Sequence, residues 1–200
     1  MVKMKTIAFI GIDGSGKTTV IREVCKGLKK RGKTCEVRYM GLGRDYAFPL
    51  MRTFSSWYSS FKHRPKKSKD KEVKEFDRNN YRTRKLPWLL IQYLEFWTRF
   101  IKNKFIRADY LLYDRYFYDG LILSNDTNFK LLKLITPKPQ KCFLIHASSK
   151  VILKRKQEAN ADNINNFYKQ AKKLGHYVDL EFVDNEKSLK TVVNEILGKV

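Results

Sequence analysis

The octapeptide GIDGSGKT at residues 11–18 constrains the fold of this chain more than any other stretch of the sequence. It directly follows the apolar run TIAFI at residues 6–10 and leads into an amphipathic helical pattern. Glycines at this spacing let backbone N–H groups turn inward and approach phosphate oxygens without a Cβ in the way. The helix that follows adds the positive end of its dipole. The sequence therefore predicts a phosphate-binding loop between a buried strand and a helix.

The residues of this loop have distinct expected roles. The Lys17 ammonium would neutralise charge on the β- and γ-phosphates of a nucleoside triphosphate, and the Thr18 hydroxyl would ligate Mg²⁺. The guanine-recognition signature N-K-x-D is absent from the sequence, which argues against a GTPase. We therefore expect ATP and Mg²⁺ to bind. The expected ATP-binding residues are Gly11, Ile12, Asp13, Gly14, Ser15, Gly16, Lys17, Thr18 and Thr19.

Short apolar runs alternate with helical patterns along the chain, which is typical of βαβ units around a mostly parallel sheet. The runs predict strands at residues 6–10, 35–40, 110–113, 141–147 and 177–183. Helical periodicity predicts helices that begin near Lys17, Pro87, Ser149, Ile164 and Ser188. We expect an α/β fold in a single domain that spans residues 1–200, because this length suits one hydrophobic core.

A second functional position is predicted where the run YLLYD ends. Phosphotransferases with such a loop place a carboxylate at the end of another core strand, where it can meet the metal. Asp114 occupies that place, and Arg115 follows it directly. We expect Asp114 to share the metal with Thr18. Arg115 is expected to be catalytic, because its charge can stabilise a transferring or accepting phosphoryl group.

A short lid is predicted after the fourth strand. The segment LKRK at residues 153–156 opens a helix and leads into the polar stretch QEANADN. In a phosphotransferase, a basic segment at this place can close over the nucleotide and stabilise charge on the transferred group. We expect the lid at residues 154–163, with Arg155 as a catalytic residue beside Lys17 and Arg115. A solvated helix face is the open alternative.

The charge of the chain points to anionic partners. Forty-two basic and twenty acidic side chains give a net charge of +22. Part of this excess lies in a basic insertion at residues 61–85, which has eleven Lys or Arg and four acids. Its Phe76 and Tyr81 could stack on bases beside phosphate-binding cations, so weak polyanion binding is one prediction. A solvated surface loop is the other.

Cysteine usage and hydropathy bear on the compartment. Cys25, Cys35 and Cys142 are scattered and lack metal-ligand spacing, so we expect free thiols in a reducing compartment. The longest uncharged stretch of the helical middle, LPWLLIQYL, is too short to span a bilayer. We therefore expect a cytoplasmic protein with no transmembrane segment. A homodimer is left open, because no feature of the sequence addresses assembly.

With the loop, the strand-end Asp-Arg-Tyr and the basic helix start in this order, the chain resembles the thymidylate kinase family of P-loop nucleoside monophosphate kinases. The resemblance implies a P-loop kinase fold, with a five-stranded parallel sheet flanked by helices. It also implies that Asp13 approaches the acceptor sugar, that Arg115 contacts the acceptor phosphate and that Arg155 belongs to the lid. The expected acceptor-binding residues are Asp13, Arg44, Arg115 and Tyr116.

The chain departs from the family pattern on the acceptor side. Positions that in the family offer Phe and Arg to the thymine carry Leu89 and Tyr93, and Asp119 stands where Ser is usual. Asp119 is expected to place an anion near the acceptor phosphate. The sequence predicts an ATP-dependent kinase for a nucleoside monophosphate or related phosphate-bearing acceptor, with thymidylate a poor substrate. Two alternatives stay open: a kinase for a non-nucleotide small molecule or glycolipid, and an ATP-binding switch or basic nucleic-acid-binding module.

Overall fold

A five-stranded parallel β-sheet forms the centre of the molecule. A computed structural model describes residues 4–41, 86–123, 132, 134–155 and 160–200. The strands are β1 (Lys5–Ile10), β2 (Cys35–Tyr39), β3 (Tyr110–Asp114), β4 (Lys141–His146) and β5 (Leu180–Asp184). They lie in the order β2-β3-β1-β4-β5, and every neighbouring pair is parallel. The α/β class and the five-stranded parallel sheet predicted from the sequence are confirmed.

Helices cover both faces of the sheet. They are α1 (Lys17–Lys30), α2 (Leu86–Lys104), α3 (Phe117–Leu123), α4 (Ser149–Arg155), α5 (Ala161–Lys172) and α6 (Leu189–Gly198), with a 3₁₀ turn at Lys173–His176. Ile7 and Phe9 of β1 pack in one buried cluster with α1 and α6. Ala8 and Ile10 pack in a second cluster with α2, α3 and α5. This alternation follows from the two-residue period of a strand, which sends successive side chains to opposite faces.

The strand order determines where the phosphate loop lies. β1 is the central strand, with β3 and β4 on its two sides, so the connections that leave these strands diverge. A crevice forms at the carboxyl ends of parallel strands where connections diverge in this way. The register pairs Phe9 with Asp114, one residue before β1 ends. The fold therefore brings residues 11–18 and the pair Asp114–Arg115 to the same end of the sheet.

Helix α3 is the main element that the sequence analysis did not predict. Its seven residues, FYDGLIL, directly follow Tyr116 and form fewer than two full turns. A helix this short is not stable by propensity alone. Phe117 and Tyr118 are both 0% exposed, which indicates that tertiary packing stabilises it. The two largest boundary differences are at the starts of β5 and α5: β5 begins at Leu180 because the 3₁₀ turn precedes it, and α5 begins at Ala161 because the Asn160 side chain caps it.

Other sequence predictions concern membrane-spanning helices, the cysteines and two polar segments. No helix among the described residues is long and apolar enough to cross a membrane. The three cysteines are free and buried. The basic insertion at residues 61–85 lies outside the described residues, as do residues 156–159 of the predicted lid.

Candidate active site

The phosphate loop has a tight backbone, and two of its positive-φ glycines leave no room for a Cβ. Gly11 has a φ of 147°, and a Cβ there would lie 2.7 Å from the carbonyl oxygen of Ile145. Gly16 has a φ of 90°, and a Cβ there would lie 2.3 Å from Nδ2 of Asn185. Helix α1 begins at the next residue, Lys17, so the positive end of its dipole lies at the loop. This arrangement of backbone and helix can receive an anion.

Lys17 is a buried cation within the loop. The residue is 5% exposed, and its Nζ donates a hydrogen bond to the Ile12 carbonyl oxygen at 2.7 Å. Burial, together with the positive charge of Arg115, lowers the pKa of Lys17 from 10.5 to about 8. A bound phosphate would favour the protonated form, because an anion stabilises a nearby positive charge. The electrostatics of Lys17 therefore suit an anionic ligand.

Thr18 and Asp114 bring two oxygen ligands together. The Thr18 hydroxyl donates a hydrogen bond to Oδ2 of Asp114 at 3.2 Å, across the gap between α1 and the end of β3. Magnesium prefers such hard oxygen ligands, and it usually takes only one or two from the protein, with phosphate and water supplying the rest. The described residues contain no group of three or more His, Cys, Asp or Glu side chains that could hold a metal by themselves. The pair therefore fits Mg²⁺ bound together with a phosphate ligand.

Arg115 has an unusual backbone conformation at the end of β3. Its φ is 67°, and among the described residues it is the one non-glycine residue with a positive φ. This region is disfavoured for residues with a Cβ, and such outliers cluster at functional sites. The guanidinium forms an ion pair with Asp13 through Nη2. Its Nη1 lies 3.9 Å from Oδ2 of Asp119, so Arg115 connects the loop with α3.

Asp119 does not face the cavity in the way that the sequence analysis expected. The residue is 5% exposed, and its oxygens accept hydrogen bonds from the backbone N–H groups of Gly11 and Tyr116, both at 3.3 Å. Burial raises the pKa of its carboxyl group, while Arg115 and Lys17 oppose that shift. The carboxylate is therefore directed at the backbone beneath the site rather than displayed to a ligand.

Two side chains hold the loop from the side of β5. Arg155, the last residue of α4, donates a hydrogen bond from Nη1 to the Gly14 carbonyl oxygen at 3.1 Å. Asn185, which directly follows β5, donates from Nδ2 to the Ser15 carbonyl oxygen at 2.6 Å. The structure thus brings Arg155 to the loop, and its role as a catalytic lid residue stays a prediction.

A cavity of about 740 Å³ opens above the loop, with Lys17 and Thr18 in its lining. On the side nearer to β3, here called the β3 side, it is lined by Asp13, Tyr39, Asp114 and Arg115. On the other side, here called the β5 side, it is lined by Arg155, Asn185, Lys187 and Leu189. The cavity is large enough for a small ligand and carries charges of both signs.

Comparison with known proteins supports the same architecture. No protein-family model and no curated protein matches the chain. Solved structures do match: a deoxyadenosine kinase from M. mycoides with products dCMP and dCDP bound (TM-score 0.59, 13% identity, 97% of each chain) and a thymidylate kinase from Ehrlichia chaffeensis (0.57, 18%, 98% of each chain). A thymidylate kinase from Candida albicans also matches (0.63, 16%, 98% of this chain and 91% of that one). The chain has the thymidylate kinase-like P-loop kinase fold.

Within this fold, the predicted acceptor residue Tyr116 lies in the core rather than at the cavity. Tyr116 is 1% exposed, and its hydroxyl donates to the Pro137 carbonyl oxygen at 2.7 Å. The chain turns at Arg115, so the next side chain enters the core, and the acceptor assignment does not extend to Tyr116. Arg44 lies outside the described residues. Tyr93 packs its ring against Phe96, Trp97 and Phe117 in the core.

Three contributors to this candidate site were not predicted from the sequence. Asn185 belongs to no motif. The signal that could have identified it is its place directly after β5, at the same end of the sheet as the loop. Tyr39 ends β2 and pairs in register with Asp114, so a correct strand order would have identified it. The buried role of Asp119 depends on α3, which was not predicted.

Proposed function

We propose that this protein is an ATP- and Mg²⁺-dependent phosphotransferase that moves the γ-phosphoryl group of ATP to a nucleoside monophosphate or a related phosphate-bearing acceptor. The observation that carries the proposal is the set of charged groups around one cavity. Lys17, Thr18 and Asp114 line it with Arg115 and Arg155. These are the residue types that phosphoryl transfer needs for charge neutralisation and metal binding.

Catalysis would come from positioning and electrostatic stabilisation. Lys17 and the N–H groups of residues 11–19 would bind the donor phosphates. Thr18 and Asp114 would hold Mg²⁺, which neutralises charge on the phosphates when it is bound. Arg155 would exchange its hydrogen bond to the Gly14 carbonyl for one to a phosphate, and Arg115 would stabilise charge on the β3 side of the cavity.

The acceptor would bind on the β3 side, beside Asp13, Tyr39 and Arg115. The charge of Arg115 is already balanced there, because its guanidinium lies against the carboxylates of both Asp13 and Asp119. A phosphate dianion gains less from a compensated arginine than from an unpaired one. This balance favours a second candidate, a kinase of the same fold whose acceptor presents a neutral hydroxyl group, such as a nucleoside or another non-nucleotide small molecule or glycolipid. The similar M. mycoides structure is of a deoxyadenosine kinase.

An acceptor screen tests the proposal. ADP release would be followed at fixed ATP and Mg²⁺ with nucleoside monophosphates, deoxynucleosides and phosphosugars. A kinase should release ADP rapidly only with its acceptor, and Lys17→Ala should abolish that release while Lys29→Ala on the exposed face of α1 should not. ADP release that ignores every acceptor but responds to single-stranded DNA would reject the kinase and support the nucleic-acid-binding alternative. ATP binding without release in either case would support the switch.

Further predictions concern partners and location. The basic insertion at residues 61–85 should bind polyanions by counterion release, so binding of single-stranded DNA or anionic vesicles should fall at least about tenfold between low and physiological salt. Deletion of the insertion should remove this binding, and binding that survives the deletion would reject the role. A cytoplasmic location stays a prediction that fractionation can test, and light scattering can decide between a monomer and the homodimer that the sequence leaves open.

A further inference from the structure

The carboxylate of Asp119 connects the two segments that carry the phosphate-handling residues. Its Oδ1 accepts a hydrogen bond from the Gly11 N–H, and its Oδ2 accepts one from the Tyr116 N–H, each at 3.3 Å. Gly11 opens the phosphate loop, and Tyr116 directly follows Arg115. One buried side chain therefore touches both segments.

Helix capping explains only one of these contacts. Asp119 is the third residue of α3, and a carboxylate at this position commonly accepts a hydrogen bond from the N–H of the residue before the helix. The bond from Tyr116 is of this local kind. The bond from Gly11 spans 108 positions of sequence and contributes nothing to the end of α3. It ties the phosphate loop to the helix.

Asp119 also restrains Arg115. The left-handed backbone of Arg115 persists because its neighbours are held: the Arg115 N–H donates to the Phe9 carbonyl oxygen at 3.0 Å, and Asp119 holds the next N–H. The Arg115 guanidinium lies 3.9 Å from the same carboxylate. A buried carboxylate needs positive partners, and Arg115 and Lys17 are the cations that act on it. Asp119 thus serves as a shared counter-ion for both.

We propose that Asp119 is a positioning residue that fixes Arg115 relative to the phosphate loop before any ligand binds, an inference that rests on the proposed phosphotransferase function. The side chain has two oxygens, and each serves a different segment. The Ser that the family resemblance leads one to expect at this position has one oxygen and no charge. It could not make both contacts and balance the cations.

The test compares Asp119→Asn with a control in which another carboxylate that accepts two hydrogen bonds is replaced. The amide keeps the shape of the side chain but removes the charge and places an NH₂ group against one of the two backbone donors. Asp119→Ser gives a second variant if the amide does not fold. Asp109→Asn is the control, because Asp109 accepts hydrogen bonds from the N–H and hydroxyl of Thr34 at 2.8 and 2.9 Å, next to the start of β3 and away from the cavity.

Two measurements decide the outcome. Without ligand, NMR of the Arg115 side chain should show guanidinium rotation about tenfold faster in Asp119→Asn than in the wild type or in Asp109→Asn, because a restraining ion pair is lost. With acceptor, kcat/KM should fall about tenfold or more, yet Asp119→Asn should cost several-fold less in an Arg115→Ala background, where only its contacts with Lys17 and Gly11 are left to lose.

Unchanged guanidinium rotation, or the full kinetic loss in the Arg115→Ala background, would overturn the positioning role. The NMR measurement needs no turnover. If no acceptor is phosphorylated by the wild type but Arg115 is released in Asp119→Asn, the positioning role stands and the proposed function fails.

Discussion

On the β5 side of the cavity, Arg155 and Asn185 hold the phosphate loop through its backbone carbonyl groups, whereas on the β3 side Arg115 is held by two carboxylates. Arg155 forms no ion pair with a described residue, although its charge helps to lower the pKa of the exposed Glu186 carboxyl, so it would break no salt bridge on turning to a phosphate. Arg115, in contrast, would have to give up a contact with the Asp13 or Asp119 carboxylate before its guanidinium could bind a phosphate. We therefore expect the β5 side to contribute to the binding of a triphosphate donor and the β3 side to select the acceptor.

The difference also concerns what each side can recognise. Contacts to backbone N–H groups and phosphate charge do not depend on the rest of a ligand, so the loop alone cannot choose an acceptor. Selection between acceptors requires groups that match one ligand and are left unpaired by another. Asp13, Tyr39 and Arg115 provide such groups on the β3 side.

The largest effect is expected for Lys17→Ala. Loss of a buried cation that would contact the transferring phosphates should lower kcat by about 10³-fold or more, because transition-state charge would lose a close partner. Turnover is followed by ADP release and folding by circular dichroism, with Lys29→Ala as the control. Near wild-type turnover in a folded Lys17→Ala protein would show that the loop does not serve phosphoryl transfer.

A smaller but still large effect is expected for Asp114→Asn. A neutral amide cannot replace a carboxylate at a hard cation, so activity should fall about 10²-fold and half-saturation should require more Mg²⁺. Initial rates across a Mg²⁺ titration measure both changes. If the Mg²⁺ dependence of the variant coincides with that of the wild type, Asp114 is structural and the metal belongs elsewhere.

The contrast between contiguous motifs and contacts across a long stretch of sequence explains how much of the molecule the sequence could predict. The loop and the pair Asp114–Arg115 were predictable because each is a contiguous run that ends a strand, and strand ends of a parallel sheet converge. Asn185 was not, because its contact with Ser15 spans 170 positions and depends on where β5 lies. Asp119 was misjudged for a related reason: its direction depends on α3, which is stabilised by packing rather than by its own sequence.

The third prediction concerns the β3 side and the acceptor. Thymidylate should be a poor substrate, because the Tyr93 ring is packed in the core and Arg115 is already compensated by two carboxylates. We expect kcat/KM for thymidylate to lie at least about tenfold below that of the best acceptor in the panel. A thymidylate value near 10⁵ M⁻¹s⁻¹ or higher, within the range of an efficient enzyme, would contradict this expectation. It would also show that residues outside the described ranges complete a thymine site.

The smallest expected effect separates the stability of the loop from its function. Burial, with the charge of Arg115, lowers the pKa of Lys17 to about 8 in the folded chain, against 10.5 for an ordinary lysine. Between these values the unfolded chain binds more protons than the folded one, so the free energy of unfolding rises with pH across this window. Below pH 8 the full cost of the buried charge is present.

Lys17→Met should therefore stabilise the ligand-free protein at pH 7 by about 1–3 kcal/mol, with the lost hydrogen bond to Ile12 offsetting part of the gain. The difference from the wild type should shrink as the pH rises above 8 and should be smallest above pH 10.5, where the wild-type lysine is mostly neutral in both states. Urea unfolding at several pH values measures it, with the exposed Lys29→Met expected to stay within about 0.5 kcal/mol of the wild type. A pH-independent difference, or a less stable Lys17→Met, would mean that the Lys17 charge is already balanced by protein groups when no ligand is bound. The phosphate loop would then hold no excess positive charge for an anion.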